Sequence, residues 1–344
     1  MINFNKNINR ILITGGSGFI GGTLIRRLLN NSDINIYNLD KLSYASNLEV
    51  INNKFDQKRY KLLKVDLTNK EETKKAIDEV NPDIIFHLAA ESHVDRSIKG
   101  PRVFIESNII GTFNLLESVL IHWQSLTSTR KKSFRFIHIS TDEVFGSLGQ
   151  NGLFSEESSY NPSSPYSASK AASDHLVKSW NITYGLPTII TNSSNNFGAW
   201  QLPEKLIPLI IINGISGKPI PIYGDGKNIR DWIYVEDHID ALIKVAQKGK
   251  IGHSYCIGGG QEKSNEEIVE LICDLLDSHN KLNAPHNRFK VLVKDRPGHD
   301  KRYALNNKKI INELDWHPKH DFQKAISYTV NWYLENINWC KKYI

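Results

Sequence analysis

The residues Ser140-Thr141-Asp142-Glu143 close an apolar run, Phe134 to Ile139. Two adjacent carboxylic acids at the end of such a run suit removal of a carbon-bound proton together with expulsion of a neighbouring hydroxyl. A second constellation lies downstream in Tyr166-Ser167-Ala168-Ser169-Lys170. Tyrosine and lysine four residues apart on a helix share one face. A phenol is a poor base at its ordinary pKa of about 10. A lysine cation and a charged nicotinamide favour the phenolate, which then takes an alcohol proton as hydride leaves for the cofactor. Oxidising a sugar C4 hydroxyl to a ketone acidifies C5–H. One acid can then remove that proton while the other protonates the departing C6 hydroxyl. Packed together, one acid keeps its proton, because like charges raise one pKa. The sequence leaves open which one, and Thr141 is suited to bond the C4 oxygen. The plain alternatives are a solvated acidic turn and an ordinary surface Tyr–Lys pair.

A nicotinamide needs a binding turn, and Gly15-Gly16-Ser17-Gly18-Phe19-Ile20-Gly21 supplies one. Gly15, Gly18 and Gly21 read GxxGxxG, the short-chain variant of the dinucleotide turn. Glycine lets the backbone approach a pyrophosphate, and the helix that starts there offers free N–H groups. An apolar strand, Ile11 to Ile13, precedes the turn; a helical pattern through Leu24, Ile25, Leu28 and Leu29 follows it. Asp40 comes nineteen residues after Gly21. A carboxylate there accepts from the adenosine ribose and repels a 2′-phosphate, favouring NAD over NADP. A turn or helix-cap aspartate is the alternative, and Lys41 next door softens the preference. Asp66 suits either the adenine amine or a turn.

These residues need a scaffold. Apolar runs at 34–39, 61–65, 84–88 and 134–139 alternate with helical patterns at 71–80 and 105–120. Alternation of this kind implies an α/β fold with a doubly wound, parallel Rossmann-type sheet. Beyond residue 197 prolines punctuate the chain, Tyr223-Gly224-Asp225-Gly226 marks a turn, and a helix at 266–276 is capped by Asn265 or Ser264. The expected division is an NAD-binding domain over 1–197, with 228–258 returning to it, and a smaller substrate-binding α/β lobe from 198–227 and 259–344. The formal charge is +6, but the basic residues are scattered, with one short cluster at Arg130-Lys131-Lys132. That argues against nucleic-acid binding and for a field that attracts phosphorylated substrates. Three cysteines without a CxxC pair argue against disulfides or a zinc site, so no metal is expected. The polar start, Met1 to Arg10, is no secretory signal, and the apolar stretch Leu206 to Ile215 is too short to span a bilayer. The expectation is a soluble cytoplasmic protein with no membrane partner.

Further blocks of sequence carry a family resemblance: Asp40 to Tyr44, His87 to Ser97, Ser140 to Val144, Tyr166 to Lys170, Asn195-Asn196, Pro203 to Pro208, Arg230-Asp231-Trp232 and Asp295 to His299. The chain resembles the dTDP-glucose 4,6-dehydratases, which are extended short-chain dehydrogenases, from about residue 11 to about residue 339. The resemblance implies conversion of dTDP-glucose to dTDP-4-dehydro-6-deoxy-glucose and water, with NAD reduced at C4 and reoxidised at C6. It implies Asp142 as the acid for the C6 hydroxyl, Glu143 as the base for C5–H, and Tyr166 as the base for the C4 hydroxyl, helped by Lys170 and Thr141. Implied NAD contacts, besides the glycine turn, are Phe19, Ile20, Asp40, Lys41, Leu42, Ser43, Asp66, Leu67, Leu88, Ala89, Ala90, Ser92, Ser107, Tyr166, Lys170 and Asn196. Implied substrate contacts are Ser92, Thr141, Asn195, Lys205, Leu206, Pro221, Ile222, Tyr223, Arg230, Asn265, Arg296, Pro297, Gly298 and His299. Arg230 and Arg296 suit a diphosphate, which calls for forked cations.

The resemblance also implies a homodimer pairing helices near Ile105–Leu120 and Ser167–Trp180, and a place in deoxysugar biosynthesis, rhamnose being one such product. Phe197-Gly198 and Ala199-Trp200 depart from the family's usual tyrosine-glycine and proline-tyrosine, which bears on the substrate loop. Rival readings are a UDP- or CDP-glucose 4,6-dehydratase, or a 4-epimerase or decarboxylase of the same fold. An epimerase has no use for the acid pair. A non-catalytic NAD-binding regulator would have no use for the tyrosine and lysine either.

Overall fold

Strands that are apolar on both faces belong to a sheet covered on both sides. The computed structural model describes residues 2, 4–51, 57–279 and 281–343. Seven strands form its main sheet: β1 (Arg10–Thr14), β2 (Asn35–Asp40), β3 (Tyr60–Lys64), β4 (Ile84–His87), β5 (Arg135–Thr141), β6 (Thr188–Ser193) and β10 (Ser254–Ile257). Their order is β10-β6-β5-β4-β1-β2-β3, with every neighbour parallel. The chain winds outward from β1 on one side and from β4 on the other. Where the two directions part, the carboxyl ends of the strands open a crevice.

The period of two along β1 sorts its side chains between two cores. Ile11 and Ile13 join one cluster with Leu24 and Ile25 of the helix Phe19–Asn31 and Ile239 and Leu242 of the helix Val235–Lys248. Leu12 joins the other with Ile77, Leu115 and Val177, from the helices Lys70–Val80, Arg102–Ser125 and Pro165–Tyr184. The helix Arg102–Ser125 extends beyond the expected 105–120 and contains a π-helical segment, Ile105–Ile110. It is long and apolar enough to match a membrane span by length and composition, and half of that stretch is buried within the fold.

A further apolar cluster gathers the helices Leu206–Ile215, Asn265–His279 and Phe322–Glu335. Beside it, β9 (Ile229–Tyr234) pairs with β7 (Asn195–Phe197) and β11 (Glu262–Ser264), and β8 (Ile220–Tyr223) with β12 (Lys290–Val293). Phe197 is 1% exposed, with the rings of Tyr234 and Phe322 each 5.6 Å away. Trp200, at a left-handed φ of 72°, packs against Trp332 and Trp339 at 4.6 and 5.6 Å. Both departures from the family pattern are thus seated in apolar packing. The cap of Asn265–His279 is Ser264: its hydroxyl accepts from Glu267 N–H at 3.1 Å, and Glu267 accepts from Ser264 N–H at 2.7 Å.

Candidate active site

The turns that follow β1, β2, β4, β5 and β6 wall a common cavity at the crevice. Gly15 makes the first turn with φ of +70°, and a Cβ there would lie 2.7 Å from the Ala89 backbone. A Cβ on Gly21 would lie 2.4 Å from the Gly15 carbonyl. Glycine at these positions lets the turn after β1, the turn after β4 and the first helix close up. That helix starts at Gly18 with no side chain capping its first N–H groups, which leaves donors for an anion. Asp40 is held on the wall: Oδ2 accepts from Ser17 N–H at 3.0 Å, and Oδ1 accepts from Leu42 N–H at 2.8 Å and the Ser46 hydroxyl at 2.9 Å. The Lys41 ammonium lies 2.8 Å from Glu91 and 3.3 Å from the Ser107 hydroxyl, so it is committed to an ion pair of its own. Asp66 takes the turn role, accepting from the Thr68 N–H and hydroxyl at 2.9 Å each, and it borders the cavity.

Gly15, Gly18, Phe19, Ile20, Gly21, Asp40, Lys41, Ser43, Asp66, Leu67, Leu88, Ala89, Ala90, Ser92, Ser107, Tyr166, Lys170 and Asn196 line this cavity. Leu42 does not; at φ of 59° it contributes its backbone N–H to Asp40. The arrangement fits a dinucleotide: a close glycine turn, open helix donors and a fixed carboxylate.

The catalytic candidates meet at the inner end. Pro165 and a Ser164–Ser167 capping box start the helix that carries Tyr166 and Lys170, both of which are buried. Lys170 Nζ donates to the Ile139 carbonyl at 2.9 Å. Asp142 and Glu143 begin a single 3₁₀ turn directly after β5, capped by Thr141, whose hydroxyl accepts from Glu143 N–H at 3.2 Å and donates to Asp142 Oδ1 at 3.2 Å. About 120° separates consecutive residues in such a turn, so the two carboxyls fork.

Their surroundings divide them. Burial pushes the Asp142 carboxyl well up, and the charges of Glu143 and then Asp231 push it further. Its Oδ2 is buried with no hydrogen-bond partner. Burial also raises Glu143, but the cations Arg296, Arg230 and Lys205 oppose the rise. Burial thus raises both carboxyls, and the neighbouring cations temper the rise at Glu143, whereas like charges add to it at Asp142. Around Tyr166 the leading influences run against the sequence expectation: burial raises the phenol, then Glu143, while a hydrogen bond with Thr141 lowers it. The Lys170 ammonium is drawn down to about 8 by burial.

Of the expected substrate residues, Ser92, Thr141, Asn195 and Lys205 line the same cavity. Lys205 Nζ donates to the Ser92 carbonyl at 2.9 Å. Leu206, Pro221, Ile222, Tyr223, Arg230, Asn265, Arg296, Pro297, Gly298 and His299 lie outside its wall. Arg230 and Arg296 still bear on Glu143 through their charge. Arg296 also lies 3.6 Å from Asp95, which accepts from the Tyr223 hydroxyl at 3.4 Å, and the Tyr223 ring meets His299 edge-on. Leu206 and Ile222 pack in the apolar cluster, and Asn265 opens its helix.

Sequence reasoning missed several groups. Tyr303 is 2% exposed, lies 4.4 Å beneath the Arg230 guanidinium, donates to Asp300, and has its phenol raised by burial and then by Glu143. Glu91 and Glu204 border the cavity. Asn108, in the π segment, ties the Glu91 backbone to the Ser169 hydroxyl. Glu91 and Glu204 stand inside motifs already noticed, whereas Tyr303 and Asn108 reach the site only through tertiary packing. Among the described residues no cluster of His, Cys, Asp or Glu could hold a metal ion.

Comparison with known proteins agrees with this geometry. The sequence profile of the family described as GDP-mannose 4,6 dehydratase matches residues 12–329. The chain is 51% identical over 339 residues to a dTDP-glucose 4,6-dehydratase of Shigella flexneri, covering 96% of this chain and 94% of the relative. Among solved structures it is similar to the dTDP-glucose 4,6-dehydratase DesIV of Streptomyces venezuelae, determined with NAD bound, at a TM-score of 0.87, 38% identity and coverage of 96% and 98%. A dTDP-glucose 4,6-dehydratase of Bacillus anthracis in complex with NAD gives a TM-score of 0.84 at 41% identity, with 97% and 99% covered. A cavity joining a glycine turn, a Tyr–Lys pair and two divided carboxyls, matched along nearly the whole chain, shows that the chain belongs to the nucleotide-sugar 4,6-dehydratases of the extended short-chain dehydrogenase family.

Proposed function

We propose that the chain converts dTDP-glucose to dTDP-4-dehydro-6-deoxy-glucose and water. The observation that carries this is the pair Asp142–Glu143, set in the same cavity as Tyr166 and Lys170 with cations facing Glu143. NAD, held by the Gly15–Gly21 turn and Asp40, supplies a hydride acceptor at C4 and a donor at C6. Tyr166 takes the proton of the C4 hydroxyl, and Thr141 bonds the same oxygen. The Lys170 ammonium favours the phenolate against the burial and the Glu143 charge that oppose it. Glu143 removes the C5 proton once C4 is a ketone, Asp142 delivers its proton to the departing C6 hydroxyl, and Glu143 returns a proton to C5 as hydride adds to C6. Lys205, Arg230 and Arg296 supply positive charge around the site; the two arginines suit the diphosphate. Asp40 favours NAD over NADP, a preference supported by the commitment of Lys41 to Glu91.

The same proposal assigns 1–197 and 228–258 to cofactor binding, and 198–227 and 259–344 to the sugar nucleotide, supported by β10 joining the main sheet and by the separate apolar cluster. It makes the protein a cytoplasmic homodimer serving deoxysugar synthesis, rhamnose among its products. Incubation with dTDP-glucose tests it: the alkaline absorbance of a 4-keto sugar and loss of water are expected. Recovery of dTDP-galactose would contradict it. Competing dTDP-, UDP- and CDP-glucose in one assay identifies the nucleotide.

A further inference from the structure

Lys170 is not the end of the polar chain behind Tyr166. Its Nζ lies 3.5 Å from His138 Nε2, and that nitrogen lies 3.0 Å from Asp174 Oδ1. Asp174 follows Lys170 by four residues on the same helix, so the two share a face. Its other oxygen accepts from the hydroxyls of Ser140 and Tyr160, both at 2.8 Å, and from the Asn192 amide at 3.2 Å. Asp174 is 1% exposed and His138 fully buried. A carboxylate this far from water stays ionised only if donors and cations surround it. Burial alone would raise the Asp174 carboxyl, yet His138, through its bond and then its charge, followed by the Lys170 charge and the bond from Ser140, holds it below the ordinary value.

The other titratable groups around Lys170 do not supply a counter-charge behind it. On β5, His138 is held neutral, drawn down to about 4 by burial. With Asp174 ionised, the imidazole carries its proton on Nε2 and gives it to Oδ1, so that nitrogen cannot also accept from Lys170. On β4, His87 is kept neutral by burial and by His138 and Lys170. Tyr160, from the loop before the helix, has its phenol raised by burial and then by Asp174, and the Tyr166 phenol is raised by burial and then by Glu143. Asp142 and Glu143 stand on the cavity side, after β5. Burial pulls the ammonium down, and Asp174 is the carboxylate that opposes this.

We propose that Asp174 is a positioning residue, the buried counter-charge that keeps Lys170 protonated behind Tyr166 and so keeps the phenol's partner cationic at working pH. This rests on the roles given to Tyr166 and Lys170 above, but the quantity it concerns is the charge of Lys170 itself.

The test is a titration of isotope-labelled lysine followed by NMR, with the Lys170 signal assigned by its loss in Lys170→Arg. The midpoint in the unaltered enzyme is expected at about 8. In Asp174→Asn, which keeps the shape and the His138 bond, it falls by about one unit or more. The alkaline limb of the turnover–pH profile falls with it. Ser140→Ala, which removes a bond to the same carboxylate but no charge, leaves the midpoint in place. An unmoved midpoint in folded Asp174→Asn overturns the proposal, as does an equal shift in Ser140→Ala. If Asp174→Asn does not fold, Lys170→Met in the same chain restores folded protein where the two charges balance, and continued failure overturns it. A shifted midpoint in an enzyme that does not dehydrate dTDP-glucose would count against the reading of the site and not against this pair.

Discussion

At the residue scale, two neighbouring carboxyls are proposed to carry opposite duties. Glu143→Gln removes the base and keeps the shape. Its turnover is expected to fall about 10²- to 10⁴-fold, with exchange of C5–H into solvent lost while oxidation at C4 survives. Exchange at the normal rate in this variant would show that Glu143 is not the base. Asp142→Asn is expected to slow water loss comparably while C5 exchange persists. Stability should move the other way. Burial and two neighbouring carboxylates raise Asp142 in the folded chain, so folding there holds a proton that the unfolded chain releases. Its presence therefore costs more stability as pH rises above the ordinary carboxylate range. Thermal melts of Asp142→Asn against the unaltered enzyme should match in acid, and the variant should gain as pH climbs toward neutrality. A gain largest in acid would contradict the assignment. Both acids stood out in the sequence beside the Tyr–Lys pair, although a solvated acidic turn would read the same, and their burial is seen only in the fold. Their division came only through the family resemblance, because its physical basis lies in Arg230, Arg296 and Asp231, which only folding brings near.

At the element scale, each short segment does one positional task. β5 ends in a capped turn that forks the acids, the Pro165 helix aligns Tyr166, Lys170 and Asp174 on one face, and a glycine turn lets two strand ends close on each other. Strands and helices of this kind were readable from apolar runs and helical spacing. The π segment at Ile105–Ile110 was not, since its pattern in sequence is that of an ordinary helix. The segment Phe197–Trp200 was noticed only as a departure from a family pattern, and packing explains it: Phe197 and Trp200 fill apolar space. Trp200→Ala should accordingly lower stability by about 2 kcal/mol or more in denaturant unfolding, with the KM for the sugar nucleotide unchanged. A raised KM at unchanged stability would mean that this segment touches substrate.

At the scale of the whole molecule, the sheet order places the cavity at its switch point, and the later chain brings cations to the cavity's inner end. Ile105, Ile110 and Ile121 on the helix Arg102–Ser125 and Ile182 and Tyr184 on the helix Pro165–Tyr184 are exposed, Ile182 by 73%. In the homodimer proposed above these side chains would be buried between two copies. Light scattering should give twice the 39.2 kDa chain mass, and Ile121→Glu with Ile182→Glu should halve it. A monomer in the unaltered protein would contradict the dimer. Oxidation, elimination and return of hydride within one cavity leave an isotopic signature in the product. dTDP-glucose labelled with deuterium at C4 is turned over in ordinary water, and its unlabelled counterpart in heavy water. The expected product has lost one water in both, with the C4 label moved to C6 in the first and one solvent deuterium at C5 in the second. A product of unchanged mass, or one whose C5 carries no solvent deuterium, would contradict it.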